Sequence, residues 1–383
     1  MQPGLLNPAP PAAWPGVLDR ARDLYDRILA SPRFRSLAAR FPLTRPVARR
    51  RVRALFDLCA GFVYTQVLLC CVRLRLFELL RDGPADTAGL AARLGLTPDA
   101  AALLLNAAAS LRLVARRGGG RWGLGPLGAA MVDNPAVTAM VEHHALVYGA
   151  LADPVALLRR AGGGALAGYW PYAEADRPAA LRPEQVAAYT ALMAASQPII
   201  AAEILAAYPL RRHRCLLDVG GGDGSFLRAA AARNPNLRLL LFDLPAVADQ
   251  ARARFAEAGL AHRAATFGGD FGSAALPRGA DIVSLVRVVH DHDDDRAMAI
   301  LRAARAALPV GGTLLLAEPM AGTPGAEPIG DAYFGFYLLA MGSGRARTPD
   351  ELESMLRGAG FDAVRRLRTH TPLLVRVLTC SAV

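Results

Sequence analysis

The residues with the clearest chemical potential stand in LVRVVHDHDDDRAMAIL, residues 285–301. His290 follows a short apolar run, and an imidazole with an ordinary pKa of about 6.5 suits proton removal at neutral pH. A second apolar run, LLLAEP, carries Glu318 at its end, where an acid could orient the imidazole or stabilise its cation. A metal site made of His290, Asp291 and His292 is the weaker alternative, because no further ligand is suggested. We therefore expect a proton-transfer site without a metal.

A glycine-rich turn precedes this segment. In LLDVGGGDGS, residues 216–225, an apolar stretch carrying Asp218 leads into Gly220 and Gly222, and FLRAAAAR then predicts a helix. Glycines let a ligand approach the backbone closely, and a helix N-terminus supplies free N–H groups. The pattern predicts a nucleoside-type cofactor bound around Asp218, Gly220 and Gly222.

Two later loops place further ligand-binding residues at the ends of predicted strands. The run LRLLLF ends in Asp243, about twenty residues after the glycines, where an acid that binds ribose hydroxyls usually stands. GGDF places Asp270 and Phe271 after the next strand, so that the acid could accept from an adenine amine while the aromatic ring covers the base. Ligands of open α/β sheets bind at these carboxyl ends.

The identity of the cofactor depends on the glycine spacing. The dinucleotide fingerprint requires glycine or alanine three residues after its second glycine, and this chain has Ser225 there. The pattern D-x-G-x-G-x-G resembles the first motif of S-adenosylmethionine-dependent methyltransferases. S-adenosyl-L-methionine (SAM) is therefore the expected cofactor, and NAD is the alternative.

Alternating strands and helices from residue 215 onward must position these loops, which predicts a mostly parallel α/β sheet. The expected strands are 215–219, 237–242, 262–267, 281–286 and 312–317, with a helix at 349–358 and a last strand in PLLVRVLTCSAV.

The first half of the chain is predicted to be helical. We expect a basic arm over 1–53 with an amphipathic helix at 17–40, and a helical domain over 54–208 that precedes the cofactor domain, 209–383. The helical domain begins with an apolar helix at 54–80, has a winged-helix rhythm at 86–127, and continues through a loop near Gly162–Asp176 to a helix at 183–205. The second helix of the winged-helix segment is apolar, whereas a DNA-reading helix carries polar and basic side chains, so we expect no nucleic-acid partner.

The positive charge is concentrated in the arm. The chain has a net charge of +11, and its basic residues are all arginine. Residues 1–53 hold eleven arginines and three aspartates, or +8, which leaves +3 for the rest. Such an arm could bind anionic lipid at about 1 kcal/mol per residue; a solvated arm, or one packed on a partner subunit, is the alternative.

Cysteines and apolar segments predict the compartment. Five cysteines form no C-x-x-C pair, which fits a reducing cytoplasm, and the N-terminus does not resemble a signal peptide. The longest strongly apolar uncharged run, Leu58–Val72, has fifteen residues, fewer than the roughly 20 that span a bilayer. We expect a soluble cytoplasmic protein with peripheral membrane contact.

Five ordered motifs together carry a family resemblance. The chain has LDVGGGDG, FDLP, GGDF, RVVHDHDD and GRART. They resemble VDVGGGxG, FDLP, GDF, RVLHDWDD and G-x-R-x-R-T of the acetylserotonin and caffeate type O-methyltransferases. The resemblance covers roughly residues 54–383. It implies a Rossmann-like class I methyltransferase sheet with an antiparallel last strand, after a winged-helix-like dimerisation domain. Within the family, the arm and the following LFDLCAGFVYTQVLLCCVRLRLFELL look most like the bacterial demethylspheroidene (hydroxyneurosporene) O-methyltransferases.

The resemblance implies a role for each residue of the cofactor site. Gly220 and Gly222 would border the methionine part of SAM. Asp243 would bind the ribose, and Asp270 and Phe271 would bind the adenine.

The resemblance also implies the reacting groups and exposes two departures. Arg287 would be a further cofactor contact, His290 the general base and Glu318 its flanking acid. The family's HDW is HDH here, so His292 replaces an aromatic residue, and the second flanking glutamate of G-x-E-R-T is Ala346. The orientation of His290 would then rest on Glu318 alone.

The implied reaction is transfer of the sulfonium methyl to a hydroxyl oxygen by in-line displacement, in which alignment can supply roughly 7–11 kcal/mol. The implied acceptor is the tertiary hydroxyl of an acyclic carotenoid, and the implied assembly is a homodimer. Two alternatives stay open. One is another acceptor, such as a phenol, a polyketide hydroxyl or a bacteriochlorophyll carbon. The other is a non-catalytic methyltransferase-like regulator.

Overall fold

The computed structural model describes residues 16–160, 163, 166–167, 181–271 and 274–383. Within them, N-terminal helices lead into a small winged-helix unit. A seven-stranded sheet with helices on both faces forms the C-terminal half.

The N-terminal region consists of helices α1 (Val17–Ala30), α2 (Pro32–Arg40) and α3 (Arg45–Arg73). The single helix predicted at 17–40 is wrong: the chain breaks at Ser31, whose hydroxyl caps α2, and Pro32 has no N–H with which to continue α1. The apolar helix begins before its predicted start at 54, because Pro46 stands in the first turn, where proline is tolerated. The predicted boundary between arm and helical domain therefore falls inside one continuous helix.

The winged-helix unit confirms the predicted rhythm. It contains α4 (Leu76–Leu79), α5 (Thr87–Leu94), α6 (Pro98–Ser110) and an antiparallel pair, β1 (Val114–Arg116) and β2 (Trp122–Leu124). Asp86 and Thr97 cap the two longer helices by accepting backbone N–H groups. Leu90, Leu105 and Trp122 are buried at its centre.

Among the described residues, this unit is connected to the sheet by α7 (Pro126–Ala129), α8 (Pro135–Ala150), α9 (Pro154–Arg159) and α10 (Pro183–Ala207). The helix predicted at 183–205 is confirmed. The loop predicted near Gly162–Asp176 lies outside the described residues except at 163 and 166–167.

In the part of the chain that the structure describes, two helical segments are long and apolar enough, by length and composition, to cross a bilayer: Arg45–Arg73 and Tyr189–Ala207. The bent pair α5 and α6 would be a third if it counted as one span. This differs from the expectation based on Leu58–Val72, because α3 extends beyond that run. The C-terminal end of α3, Cys71 and Val72, is nevertheless buried in the core of the winged-helix unit.

The main sheet contains β3 (Cys215–Val219), β4 (Arg238–Asp243), β5 (Ala264–Gly268), β6 (Ile282–Val286), β7 (Thr313–Glu318), β8 (Phe361–Leu367) and β9 (Arg376–Ala382). Its order is β5-β4-β3-β6-β7-β9-β8. The strands β3 to β7 pair in parallel, and β9 is antiparallel to β7. The predicted parallel strands and the antiparallel last strand are confirmed, but β8 was not predicted. Its sequence, FDAVRRL, lies at the sheet edge and lacks an apolar run.

Helices cover the sheet on two faces. The helices α11 (Ser225–Arg233) and α12 (Pro245–Glu257) pack with α10 on one face. The helices α13 (Asp294–Ala307) and α15 (Pro349–Gly358) pack on the other, and α14 (Phe334–Met341) lies beside α8 and α9. The sequence predicted α15 correctly. Because β3 to β7 are parallel, the loops that carry the predicted site residues all lie at one edge.

Candidate active site

The glycine turn after β3 forms the floor of a pocket, called here the donor pocket. Gly220 and Gly222 have φ values of 68° and 59°, in the left-handed region that favours glycine. A Cβ on Gly220 would lie 2.7 Å from Val288 Cγ2, so the turn packs against the loop after β6. Gly222 has no heavy atom within 4 Å of its ideal Cβ position, and it lines the pocket. The turn therefore offers backbone where a ligand can approach closely.

Asp243 stands opposite this turn at the end of β4. Its Oδ2 accepts the N–H of Gly222 at 2.8 Å, and its Oδ1 accepts the N–H of Leu244 at 2.7 Å. Burial raises the pKa of Asp243 to about 6, although these two N–H donors act to lower it. Each oxygen can accept one more hydrogen bond, which suits the vicinal hydroxyls of a ribose.

Asp218 lies beneath the turn and is fully buried. Its Oδ1 accepts the hydroxyl of Ser284 at 2.6 Å. Burial, and to a lesser extent the charge of Asp243, raises the pKa of Asp218 to about 7. Asp218 therefore lines the pocket as predicted, and Ser284 is a partner that the sequence did not suggest.

Asp270 and Phe271 form another wall of the pocket. Asp270 pairs with Arg296 at 2.9 Å, and the Arg296 guanidinium lies 5.7 Å from the centre of the Phe271 ring. His292 contacts the same ring edge-on, with centroids 5.3 Å apart. Burial and the charge of Arg296 lower the pKa of His292 to about 3, so this imidazole is uncharged at neutral pH. The histidine that departs from the family motif thus keeps a ring beside Phe271.

Arg287 joins the pocket to the helical half. It has a φ of 56° and lines the pocket, but its guanidinium donates to the Ser196 hydroxyl at 2.7 Å and to the Met193 carbonyl at 3.0 Å. It also contacts the side-chain oxygen of Gln197. Much of its hydrogen-bonding capacity therefore fixes α10 against the end of β6.

His290 lies in a short 3₁₀ turn, Val289–Asp291, between two carboxylates. Its Nδ1 is hydrogen-bonded to Oε2 of Glu318, whose Oε1 accepts the N–H groups of Val288 and Val289 at 3.1 and 2.7 Å. Its Nε2 lies 3.0 Å from Oδ1 of Asp291. The expectation that Glu318 alone orients the imidazole is therefore wrong, because Asp291 supplies a second carboxylate.

The charges around His290 decide its protonation. Burial acts to lower the pKa of His290, but the charges of Asp291 and Glu318 and the hydrogen bond to Glu318 outweigh it and raise the pKa. Burial raises the pKa of Asp291 to about 7, against the opposing charge of His290. The imidazole therefore lies between the side chains of Asp291 and Glu318, and its pKa is raised by them.

A segment after α14 holds the turn in place. The fully buried Arg347 donates to the carbonyls of Val289 and His292 at 2.8 and 2.7 Å and pairs with Asp294 at 2.7 Å. A Cβ on Gly344 would lie 2.2 Å from the His290 carbonyl oxygen. The GRART motif therefore clamps the backbone on both sides of the histidine.

Aromatic side chains lie on another side of His290. Phe334 contacts the imidazole edge-on at 6.1 Å, and Tyr333 contacts Phe334 at 5.2 Å. The Tyr333 hydroxyl is 2.9 Å from Nε2 of His144 on α8. These residues stand between the imidazole and the helical half, on the side called here the acceptor side.

The structure brings together all the predicted site residues and adds several that sequence reasoning missed. The added residues are Ser196, Ser284, Asp291, Arg296 and Arg347. The sequence offered Asp291 only as a metal ligand, although its position next to His290 was a usable signal. In the described part of the chain, no three His, Cys, Asp or Glu side chains are arranged to hold a metal ion.

The residues of the donor pocket fit SAM. Five aspartates and two arginines are among its lining residues, so acids outnumber bases around a ligand that carries a sulfonium and an ammonium group. The glycine turn provides space, and Asp243 provides acceptors for ribose hydroxyls.

Comparison with known proteins gives two domain matches and full-length relatives. A model of the O-methyltransferase domain matches residues 171–362, and one of the O-methyltransferase dimerisation domain matches 56–134. The chain is 42% identical to demethylspheroidene O-methyltransferase of Cereibacter sphaeroides, over 92% of this chain and 93% of that protein. It is 41% identical to the enzyme of that name from Rhodobacter capsulatus, over 97% of this chain and 93% of that protein.

A solved structure shares the fold. Human N-acetylserotonin methyltransferase in complex with SAM superposes with a TM-score of 0.73 at 23% identity, covering 87% of this chain and 97% of that chain. This likeness places the sheet and the preceding helical region in one known architecture.

Proposed function

The chain belongs to the SAM-dependent O-methyltransferases, and from that premise we propose that it methylates the tertiary hydroxyl of an acyclic hydroxycarotenoid, of the demethylspheroidene or hydroxyneurosporene type. The observation that carries the proposal is the extent of similarity to the two demethylspheroidene O-methyltransferases. The 41% identity spans 97% of this chain and so includes the helical half that must bind the acceptor. Similarity confined to the donor pocket would support only the identity of the cofactor and not that of the acceptor.

The acceptor side supports an uncharged substrate. Burial raises the pKa of Tyr333 to about 12 and lowers the pKa of His144, so the pair is neutral at neutral pH. Phe334 extends this surface to the imidazole. A carboxylate-bearing acceptor would find no opposite charge in this pair, whereas a hydrocarbon with one hydroxyl needs none.

The same geometry supports a proton-transfer role for the turn after β6. SAM, when bound, supplies a methyl group already activated on a sulfonium, so positioning of the acceptor oxygen contributes much of the rate. We assign proton removal to the centre formed by His290 and Glu318, the predicted base and its flanking acid. Both side chains are buried, and the surrounding backbone N–H groups fix the glutamate.

The test compares acceptors under identical conditions with the purified full-length chain. With radiolabelled SAM, we expect kcat/KM for hydroxyneurosporene to exceed that for N-acetylserotonin or a simple phenol by at least about 100-fold, because a wrong acceptor leaves buried groups unmatched. Turnover of a phenol with no detectable methylation of any hydroxylated carotenoid would refute the acceptor and leave the reaction class intact.

We also propose that the protein is a homodimer. The matched dimerisation domain begins at residue 56, within α3, and large apolar side chains there, including Leu58 and Phe62, are exposed in the single chain. A second copy would cover this surface. Light scattering should give the mass of two chains, and the mass of one chain at micromolar concentration would contradict the assembly.

The arm supports peripheral membrane contact. The helices α1 and α2 and the first half of α3 expose apolar side chains such as Leu18, Leu37 and Val52 among the arginines. Apolar groups with interspersed basic groups match an anionic lipid surface. We propose that the arm places the protein at the cytoplasmic membrane surface, where a carotenoid dissolves.

Charge-matched variants test this contact. The change of Arg49 and Arg50 to Gln should weaken binding to phosphatidylglycerol vesicles by about 30-fold, at about 1 kcal/mol for each arginine. The change of Arg365 and Arg368 to Gln removes the same charge from an exposed edge of the sheet domain and should leave binding unchanged. Equal effects of the two pairs, or no effect of either, would contradict arm docking.

A further inference from the structure

Three loops of the donor pocket follow one another across the sheet. The strands β3, β4 and β5 are neighbours in that order, and the glycine turn, Asp243 and the pair Asp270 and Phe271 stand at or just beyond their carboxyl ends. SAM with its methionine part at the glycine turn and its ribose at Asp243 would therefore place its adenine beside Asp270 and Phe271. The wall around Phe271 is the part of the pocket that would face the base.

His292 reaches this wall from the chain between β6 and α13. It lines the donor pocket, and its imidazole contacts the Phe271 ring edge-on, with an interplanar angle of 79°. Arg296, in the first turn of α13, lies 5.7 Å from the centre of the same ring and pairs with Asp270. His292 therefore belongs to the group of side chains that would surround the adenine.

The hydrogen-bonding capacity of this imidazole is open to a ligand. Among the residues that the structure describes, neither ring nitrogen of His292 has a hydrogen-bond partner, whereas its backbone carbonyl accepts from Arg347 at 2.7 Å. Burial and the charge of Arg296 lower the pKa of His292 to about 3, so the neutral ring carries one N–H donor and one acceptor nitrogen. A polar group in a partly buried site costs free energy until it finds a partner, which points to a bound ligand.

The imidazole is also a departure from the family motif, in which HDW stands where this chain has HDH. An indole is larger and offers a single N–H donor, whereas a neutral imidazole offers a donor and an acceptor on a smaller ring. The replacement therefore reduces apolar contact with a flat base and adds hydrogen-bonding capacity. Such a ring suits the edge of a base, which carries donors and acceptors, better than its face.

We propose that His292 binds the methyl donor by donating its imidazole N–H to a ring nitrogen of the adenine. Asp270 would accept from the adjacent amine, so that the two side chains match the donor and the acceptor of one adenine edge. Because the base lies apart from the reacting methyl, this hydrogen bond strengthens the binding of SAM and of its product S-adenosyl-L-homocysteine (SAH) alike and leaves the chemical step unchanged. The inference extends the SAM site and is independent of the proposed carotenoid acceptor.

The experiment measures by calorimetry the Kd of SAH and of its 1-deaza, 3-deaza and 7-deaza analogues, each of which replaces one ring nitrogen of adenine by C–H. The unaltered full-length chain should bind one of the analogues about 3- to 10-fold more weakly than SAH, because that analogue cannot accept the hydrogen bond. H292F keeps an aromatic ring without the donor. It should bind SAH more weakly by a similar factor and should no longer distinguish that analogue from SAH.

His262 offers a matched control, because it is an exposed histidine on the loop before β5. H262F makes the same chemical change away from the pocket and should leave every Kd unaltered. In turnover with saturating acceptor, H292F should raise the KM for SAM and leave kcat unchanged, which separates donor binding from chemistry.

Three results would overturn the proposal. The unaltered chain could bind all three analogues as tightly as SAH, or H292F could retain the full discrimination between SAH and the weaker analogue. Equal weakening of SAH and of every analogue in H292F would show that only ring packing was lost.

A second pair of variants decides if urea unfolding shows that H292F is not folded. H292Q keeps a side-chain N–H and should still distinguish the analogue, whereas H292L should not; equal discrimination by both would contradict the hydrogen bond. The binding measurements use no acceptor, so a failure of the carotenoid proposal would leave their outcome unaffected.

Discussion

Asp243 shows how one side chain can bind a ligand through the acceptor capacity it leaves unused. Two backbone N–H groups occupy one lone pair on each oxygen, and they orient the carboxylate across the donor pocket. Burial raises its pKa to about 6, and Asp218 beneath it has a pKa raised to about 7. Both carboxyl groups therefore become increasingly ionised as the pH rises through 6 and 7.

This protonation predicts the pH dependence of donor binding. A cation binds best when the acids are ionised, so the Kd for SAM should decrease as the pH rises from 5 to 7. The slope should approach about tenfold per unit for each titrating group and level off above the two pKa values. Isothermal calorimetry over this range measures the effect. In D243N the dependence should become shallower and the affinity lower at all pH values; an unchanged Kd between pH 5 and 7 would contradict the assignment.

The sequence predicted which residues form the site better than it predicted the residues that they contact. Glycine spacing and the strand ends identified Gly220, Gly222 and Asp243, because backbone geometry restricts which residues those places accept. The ion pair of Asp270 with Arg296 joins different elements, and so does the hydrogen bond of Arg347 to the Val289 carbonyl. Such pairs depend on how α13 and the segment after α14 pack, which no local pattern encodes.

At the scale of elements, the segment from Ser343 to Thr348 holds the turn Val289–Asp291 in place. Arg347 is 2% exposed and fills its hydrogen-bonding capacity with two carbonyls and Asp294. Arg345 pairs with the same aspartate but is 43% exposed at its side chain. The two arginines thus share a partner and differ in burial.

This difference predicts unequal costs of substitution. R347M should lower the free energy of unfolding by about 3–5 kcal/mol, because it leaves the carbonyls of Val289 and His292 without their buried donor. R345M removes two exposed ion pairs, with Asp294 and Glu351, and should cost only about 1 kcal/mol. Urea unfolding of both variants measures the difference. Equal losses in the free energy of unfolding would show that the buried Arg347 stabilises the fold no more than the exposed Arg345 does.

Strands were easier to predict than helix boundaries. The strands β3 to β7 are short apolar runs that end in functional loops, and the structure places each within a few residues of its prediction. The edge strand β8 has a charged, exposed sequence and gave no such signal. In the arm, Pro32 ends one helix while Pro46 begins another, and only the position of each proline within a turn separates these outcomes.

At the scale of the whole molecule, the halves divide the task. The sheet domain carries the donor pocket and the turn that holds His290. Helix α10 joins it to the helical half through Arg287 and through Glu203, which accepts the N–H groups of His370 and Thr371. The net charge of +8 in residues 1–53 belongs to neither task. This positive charge is free to bind an anionic lipid surface, and an apolar acceptor would be dissolved in that membrane.

We propose that this site transfers a methyl group to the oxygen of a carotenoid hydroxyl. The most direct test incubates the purified chain with trideuteromethyl-labelled SAM and hydroxyneurosporene in phosphatidylglycerol vesicles, followed by mass spectrometry and NMR of the product. We predict one labelled methoxy group at the former hydroxyl. Label on carbon, or an unlabelled carotenoid beside turnover of another acceptor, would contradict the account.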